Sequence, residues 1–192
     1  PPAVPVARLL RPAEVAAILQ HLPEVCARVA ICVLYTGLRI GEVLNLDWSG
    51  VELSENGKYY LTVLKSKTRR ARSETKTQGI HPIALAAMGE RKSYGKVFDV
   101  KLSRLSQTMA AATRKLNMGR VRWHDLRHTW ATHLMEEAKD LRALMDAGGW
   151  ATMQAAMIYQ HPTEKRRDVT LKMDYKVPIR PLIVSRKVRG PG

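Results

Sequence analysis

The hydrophobic residues of this chain recur at helical spacing over most of its 192 residues, and one stretch breaks that period. The spacing predicts helices at residues 12–22, 24–36, 39–44, 84–91, 102–116, 123–138, 141–147 and 152–161. The break follows Trp48, where Asn56-Gly57 is a hairpin turn signal and residues 58–64 are rich in strand formers. The predicted fold is therefore mainly α with a small antiparallel β-sheet, in the α+β class.

Residues 65–79 are polar and strongly charged, and they follow the predicted strand directly. We expect them to form an extended hairpin loop that leads into a brief strand at residues 80–83. Further along, residues 141–147 are predicted to form a helix that ends at Gly148-Gly149, because glycine commonly ends a helix.

The net charge is the strongest sign of a partner. Lysine and arginine number 32 against 17 aspartates and glutamates, which gives a formal charge of +15. Such a surplus in a globular chain points to a polyanion, usually nucleic acid, although composition alone also allows a merely basic protein. With one phenylalanine and no aromatic-rich basic motif, a platform that stacks single-stranded bases is disfavoured.

Composition also argues against a membrane protein and a disulfide-rich one. No apolar run approaches the roughly 18 residues that a membrane-spanning helix needs. The two cysteines, Cys26 and Cys32, are too few to staple the chain, and their spacing suits no common zinc site. We interpret them as small apolar residues of a reduced, cytoplasmic protein.

The segment W-H-D-L-R-H-T-W-A-T-H at residues 123–133 carries the first candidate site. His124 and Arg127 are three residues apart, so both side chains leave one face of the predicted helix. A guanidinium fork binds two phosphate oxygens and an imidazole adds a further donor. His124 and His128 have a metal-compatible spacing, but no acidic third ligand accompanies them. A solvated helix without a ligand is the alternative.

The segment T-G-L-R-I-G-E-V-L at residues 36–44 carries the second. Gly37 ends one predicted helix and Arg39 opens the next, where free backbone N–H groups and the helix dipole favour anions. Glu42 follows Arg39 by one turn and is placed to orient it. Taken alone, an arginine at a helix start is more often an ordinary surface residue.

Together these two segments resemble the tyrosine recombinase (phage integrase) family. The pattern is T-G-L-R-I-G-E-V-L-x-L-x-W, followed about ninety residues later by H-D-L-R-H-T-x-A-T-H-L. Two further motifs of the family follow in the expected order. Gly148-Gly149-Trp150 comes after the second segment, and Tyr159 lies nine residues beyond Trp150. The resemblance extends from about residue 8 to residue 164.

The resemblance implies a DNA breaking-rejoining catalytic domain in which Tyr159 attacks a phosphodiester and forms a 3′-phosphotyrosyl link. Many members have histidine where this chain has Trp150, whose indole donates a hydrogen bond but cannot exchange a proton. The family needs no metal and no other cofactor. The catalytic residues implied are Arg39, Lys67, His124, Arg127, Trp150 and Tyr159, with Glu42 and His128 in support.

For the general-acid lysine of the family, different sequence features point to two different residues. Lys67 comes directly after the predicted strand, 28 residues past Arg39, which suits the family. Lys76 precedes residues 80–83, which resemble the strand that normally follows this lysine. We favour Lys67 and keep Lys76 as the alternative. The other basic residues of the loop either contact the DNA backbone or solvate the loop; they are Arg69, Arg70 and Arg72.

By this resemblance, the expected function is integrase-type site-specific recombination of double-stranded DNA, in a phage or other mobile element. The expected assembly is a homotetramer on DNA and a monomer or weak oligomer when free, associated with the nucleoid in the cytoplasm of a bacterium or infected host. Two alternatives stay open: DNA relaxation like that of a type IB topoisomerase, and DNA binding by an inactive basic regulator.

The expected domain organisation is a catalytic domain at residues 1–165 followed by a basic tail at residues 166–192. The tail carries an apolar P-L-I-V stretch, which suits either a strand packed on its own domain or a groove on a neighbouring protomer. The family's N-terminal core-binding domain is expected to lie outside this chain.

Overall fold

The computed structural model describes residues 8–64 and 75–138, together with positions 142, 145 and 148. Its elements in chain order are α1 (Pro12–His21), α2 (Glu24–Thr36), α3 (Ile40–Leu44), a 3₁₀ turn (Trp48–Gly50), β1 (Val51–Leu53), β2 (Tyr59–Leu64), β3 (Thr75–Gly79), α4 (Pro82–Met88), α5 (Leu102–Lys115) and α6 (Trp123–Ala138). The predicted class, mainly α with a small antiparallel sheet, is confirmed. None of the described helices has the length and apolar character that crossing a bilayer requires.

Helix α2 forms the centre of the domain. Ten of its thirteen residues are buried, and α4 and α6 pack against it. A helix that is apolar on every side is stable only when it is surrounded by other elements. Because α2 ends at Thr36, its C-terminal end places the turn that leads to Arg39 at the edge of the core.

The three strands form an antiparallel sheet in the order β1-β2-β3. Leu61 of β2 is fully buried and lies opposite Val51 of β1 on one side and Gln78 of β3 on the other. The predicted turn at Asn56-Gly57 joins β1 to β2, and Gly57 has the positive φ of 75° that such turns require. Strand β3 is the edge of the described sheet next to α2.

The prediction of a strand at residues 80–83 is wrong. The strand lies earlier in the chain, at residues 75–79. Residues Thr75–Gly79 pair with β2, and α4 begins directly afterwards at Pro82. Proline suits the first turn of a helix, since its fixed φ is helical and no N–H partner is needed there. The His81 side chain accepts a hydrogen bond from the N–H of Ile83 and so caps α4. The charged segment therefore ends in a strand.

Helices α5 and α6 close the core as predicted. Leu105, Met109 and Ala112 of α5 are buried, while Leu116 lies just past the helix end and is partly buried. Helix α6 spans the predicted residues 123–138 and packs on α2. Positions 142, 145 and 148 are helical, while the other residues of the predicted helix at 141–147 and the predicted helix at 152–161 lie outside the described residues.

Candidate active site

The turn between α2 and α3 is built around Gly37. Its φ of 65° and ψ of 13° are left-handed, and its N–H donates to the carbonyl of Val33 at 2.9 Å. The indole ring of Trp130 on α6 lies so close that a Cβ at this position would overlap it. Both the backbone conformation and the close approach therefore require glycine, and they seat the turn directly on α6.

Arg39 begins α3, and its side chain is 49% exposed. One carboxylate oxygen of Glu42 accepts the backbone N–H of Arg39 at 2.7 Å, and the other accepts guanidinium Nη1 at 2.9 Å. A glutamate in the third position of a helix commonly caps the first turn in this way. Glu42 therefore stabilises α3 and tethers an arginine that still faces solvent.

Arg127 lies on the inner side of α6 and is only 3% exposed. Its guanidinium donates one hydrogen bond to the backbone carbonyl of Gly37, ninety residues earlier, and another to that of Gly148. Carbonyl partners orient a guanidinium fork without cancelling its charge. The two bonds therefore fix the direction of Arg127 while its positive charge can still attract an anion.

The first turn of α6 is anchored by Asp125, which is 1% exposed. Its carboxylate accepts the backbone N–H of Arg122 at 2.8 Å and Nη2 of the same residue at 2.9 Å. Burial favours a raised pKa for Asp125, but the bonds and charge of Arg122 outweigh it, so the pKa lies below its usual value. Thr129 adds a second anchor, since its hydroxyl accepts the N–H of Leu10 at 3.1 Å.

His124 and His128 lie side by side at the start of α6, with ring centroids 4.8 Å apart and planes at 82°. Partial loss of water around the rings lowers both pKa values, and that of His128 falls to about 4. Both imidazoles are therefore neutral near pH 7. Within the described ranges, no three His, Cys, Asp or Glu side chains gather as metal ligands.

The hydrogen bond from Arg127 to the carbonyl of Gly37, two residues before Arg39, shows that the two predicted segments meet. After the loss of water, the charge of Arg127 is the next cause that lowers the pKa of His124. Arg122 and Arg39 act in the same direction, and Asp125 opposes them. The fold therefore brings Arg39, His124 and Arg127 into one neighbourhood.

The lysine hairpin, formed by β2 and β3, lies beside the same turn, because Gln78 of β3 donates a hydrogen bond to the carbonyl of Thr36. Lys76 is in β3, opposite Val63 of β2, although its side chain is outside the described part of the chain. Lys67 also lies outside the described residues, so the choice between the two lysines stays a prediction. The remaining site predictions outside the described residues are Arg69, Arg70, Arg72, Trp150 and Tyr159.

The model of the phage integrase family matches residues 8–166, which is most of the chain. The chain belongs to the phage integrase family. The resemblance inferred from the two arginine segments is therefore confirmed at the level of the family.

A curated relative of this integrase-family chain is itself an integrase. It is 30% identical over 149 residues to the integrase of Escherichia phage P2, covering 77% of this chain but 41% of the relative. The chain thus spans less than half the length of that relative.

Two solved structures share the fold. The catalytic domain of bacteriophage HP1 integrase has a TM-score of 0.62 and 20% identity, with 79% of this chain and 85% of that chain covered. The XerH site-specific recombinase, solved bound to its difH substrate, has a TM-score of 0.60 and 18% identity, with 80% and 50% covered. These structures establish the fold of this integrase-family chain.

Sequence reasoning missed the groups that hold the integrase-family site in place. Trp130 stands three residues after Arg127 in an apolar pattern, and that pattern indicates burial but not contact with Gly37. The carbonyl of Gly148 carries no signal in the sequence, since every residue has one. Gln78, whose amide reaches the end of α2, was hidden in a segment predicted to be loop.

Proposed function

We propose that this chain is the catalytic domain of a tyrosine site-specific recombinase of the integrase type, and that its substrate is double-stranded DNA. The observation that carries the proposal is the convergence of Arg39, His124 and Arg127 around the Gly37 turn. Two guanidinium groups and a neutral imidazole suit the non-bridging oxygens of a phosphodiester. Family membership and the DNA-bound XerH complex support the same substrate.

Tyr159 is the nucleophile of the proposed reaction. Its oxygen loses a proton and attacks phosphorus, and the bond from phosphorus to the 5′ oxygen breaks. The departing oxygen keeps that electron pair and takes a proton from the ammonium of Lys67, or of Lys76 in the alternative. The product is a 3′-phosphotyrosyl link and a free 5′-hydroxyl. Attack by the 5′-hydroxyl of another strand reverses these steps and needs no ATP.

The two arginines have different parts in this reaction. Arg127 is buried and already oriented by two carbonyls, so it offers donors that need no rearrangement when charge develops on the phosphate. Arg39 is half-exposed and tethered by Glu42, so it completes the clamp once DNA is bound. Neutral His124 accepts the proton of the tyrosine, and the indole N–H of Trp150 donates to a phosphate oxygen.

The proposed assembly on DNA is a homotetramer, in which four copies exchange strands between two duplexes, and the free protein is a monomer or weak oligomer. The chain is associated with the nucleoid in the cell. Arg69, Arg70 and Arg72 contact the DNA backbone. The basic tail at 166–192, beyond the catalytic domain at 1–165, packs on its own domain or on a neighbouring protomer.

A two-site plasmid tests the proposed function against relaxation of DNA. Binding-site selection first yields a preferred duplex sequence, and two copies of it are placed on one supercoiled plasmid. We expect deletion or inversion of the intervening segment, depending on the relative direction of the sites. A control plasmid without the sites should stay unchanged. Relaxation of both plasmids without rearrangement would contradict recombination and favour a topoisomerase-like activity.

A further inference from the structure

Gln78 is a buried polar residue at the edge of the described sheet. It lies on β3 opposite Leu61, and it is 3% exposed. Its side-chain Nε2 donates to the backbone carbonyl of Thr36 at 2.8 Å, across 42 residues of sequence. Thr36 is the last residue of α2 and directly precedes Gly37. One side chain therefore joins the lysine hairpin to the turn that carries Arg39.

The other end of the same amide is unsatisfied. Within the described part of the chain, Oε1 of Gln78 is buried and has no hydrogen-bond partner. Burying an unpaired amide oxygen costs stability, which an apolar side chain of the same length would avoid. A glutamine at this position is therefore explained better by the bond of its N–H group than by the packing of the core.

The bond to Thr36 holds the hairpin more than it holds the turn. The turn is already fixed by Arg127, which donates to the Gly37 carbonyl, and by the ring of Trp130 beneath it. Strand β3, in contrast, is paired only with β2 among the described strands. Without the Gln78 amide, β3 would keep its ladder to β2 but lose this hydrogen bond to the end of α2.

We propose that Gln78 is a positioning residue for the general-acid lysine of the hairpin. Lys76 precedes it by two residues on β3, and Lys67 belongs to the segment that joins β2 to β3. In either case the lysine hairpin must be held against the turn that carries Arg39 for the ammonium group to reach the departing oxygen. This inference rests on the proposed cleavage reaction and adds a residue to it.

The test compares two DNA substrates under single-turnover conditions. One carries the ordinary 5′ oxygen at the cleaved position and needs a proton from the lysine. The other carries a bridging sulfur there, whose thiolate leaves without a proton. The variants are Gln78→Met, which keeps the length but removes the amide, and Gln78→Glu, which keeps an oxygen but removes the N–H donor. Thermal unfolding of each variant is measured in parallel.

Thr77→Val is the matched control. Thr77 is the exposed neighbour of Gln78 on β3, and its hydroxyl shares a hydrogen bond with that of Thr62 on β2 at 3.1 Å. The control therefore loses one hairpin hydrogen bond without touching the end of α2. It should cleave both substrates at the rate of the parent protein.

The proposal predicts that Gln78→Met and Gln78→Glu cleave the oxygen substrate about 10- to 100-fold more slowly, because small displacements of catalytic groups cost that much. Cleavage of the sulfur substrate should stay within about twofold of the parent, since general-acid help is not needed there. Equal slowing of both substrates, or slowing of neither, would overturn the proposal. If Gln78→Met fails to fold, Gln78→Glu decides by the same criteria. If the parent protein forms a covalent link with neither DNA substrate, the proposed function itself is wrong.

Discussion

The guanidinium of Arg127 donates a hydrogen bond to the backbone carbonyl of Gly37, ninety residues earlier in the chain. Gly37 lies two residues before Arg39 and rests on the ring of Trp130. One glycine therefore sets the position of Arg39 relative to α6 and orients the guanidinium of Arg127.

Replacing Gly37 with alanine should destabilise the domain severely. The left-handed φ of 65° costs an alanine about 1–2 kcal/mol, and overlap with the Trp130 ring costs about 1–3 kcal/mol more. For a domain of this size each kcal/mol lowers the unfolding midpoint by about 2–4 °C. Differential scanning calorimetry of Gly37→Ala measures the sum.

Two other glycines separate the causes of that loss. Gly57 also has a positive φ, of 75°, but it has open space around it, so Gly57→Ala should cost only about 1–2 kcal/mol. Gly41 lies in α3 with nothing near it, so Gly41→Ala should be neutral or stabilising by up to about 1 kcal/mol. Equal effects at Gly37 and Gly57 would show that the Trp130 contact is unimportant.

Arg127→Lys should abolish most cleavage while DNA binding stays within a few-fold of the parent. Lysine keeps the charge but not the planar fork that the carbonyls of Gly37 and Gly148 orient. Loss of one preorganised donor typically costs about 10²–10³ in rate. Single-turnover cleavage and equilibrium binding, measured on the same duplex, check the prediction.

Arg28→Lys is the control for that substitution. Arg28 on α2 likewise donates to two backbone carbonyls, those of Ala87 and Met88, both at 2.8 Å. These bonds tie α2 to the end of α4, away from the candidate site. Arg28→Lys should therefore lower the unfolding midpoint without a specific loss of cleavage. A comparable loss of cleavage in both variants would mean that Arg127 acts only through stability.

The main helices were predictable because their signals are local. Helix α2 has continuous apolar character and a glycine cap, and α6 was predicted with the bounds that the structure shows. Strand β3 was not predictable in the same way, since T-K-T-Q-G is polar and becomes a strand only by pairing with distant β2. The I-H-P-I stretch at 80–83 alternates like a strand, but Pro82 starts a helix there.

The candidate site was predictable in its residue types and not in its supports. Arg39, His124 and Arg127 are chemically distinctive side chains at family spacing. The groups that orient Arg127 are backbone carbonyls, which every residue has, and their convergence depends on tertiary structure. Gln78 was missed for the same reason, because its partner is the carbonyl of Thr36 at the end of another element.

The domain should lose stability as pH falls from about 6.5 to 4, through His128 in particular. Its pKa is about 4 in the folded protein and about 6.5 when unfolded, so the unfolded state binds the proton more readily in that range. Stability rises with pH wherever the unfolded state binds more protons. The stability that neutral His128 contributes is therefore fully present above pH 6.5 and is lost progressively as the pH falls to about 4. Its size is at most about 3 kcal/mol, since one unit of pKa corresponds to about 1.4 kcal/mol.

Unfolding midpoints across that pH range, for the parent and for His128→Gln, measure this contribution. The variant should show a flatter decline between pH 6.5 and 4, since glutamine does not titrate. Lowered carboxyl pKa values, such as that of Asp125, act below this range and affect both proteins alike. Identical pH profiles would show that His128 is not the group responsible.

The bridging-sulfur substrate also decides between the two candidate lysines. Lys67→Ala should slow cleavage of the oxygen substrate by about 10²–10⁴, the usual contribution of a general acid, and should recover on the sulfur substrate. Lys76→Ala should change neither rate by a comparable factor. Recovery by Lys76→Ala, without recovery by Lys67→Ala, would reverse the assignment.

Covalent attachment to DNA distinguishes a tyrosine recombinase from an inactive DNA-binding protein. A nicked suicide duplex, which traps the intermediate because its short cleaved fragment diffuses away, is incubated with the parent and with Tyr159→Phe. Removal of the phenolic oxygen removes the nucleophile without altering the charges that bind DNA. A denaturing gel should show a protein-linked DNA band for the parent and none for Tyr159→Phe, with equal binding in a native gel. A full covalent band from Tyr159→Phe would show that Tyr159 is not the nucleophile.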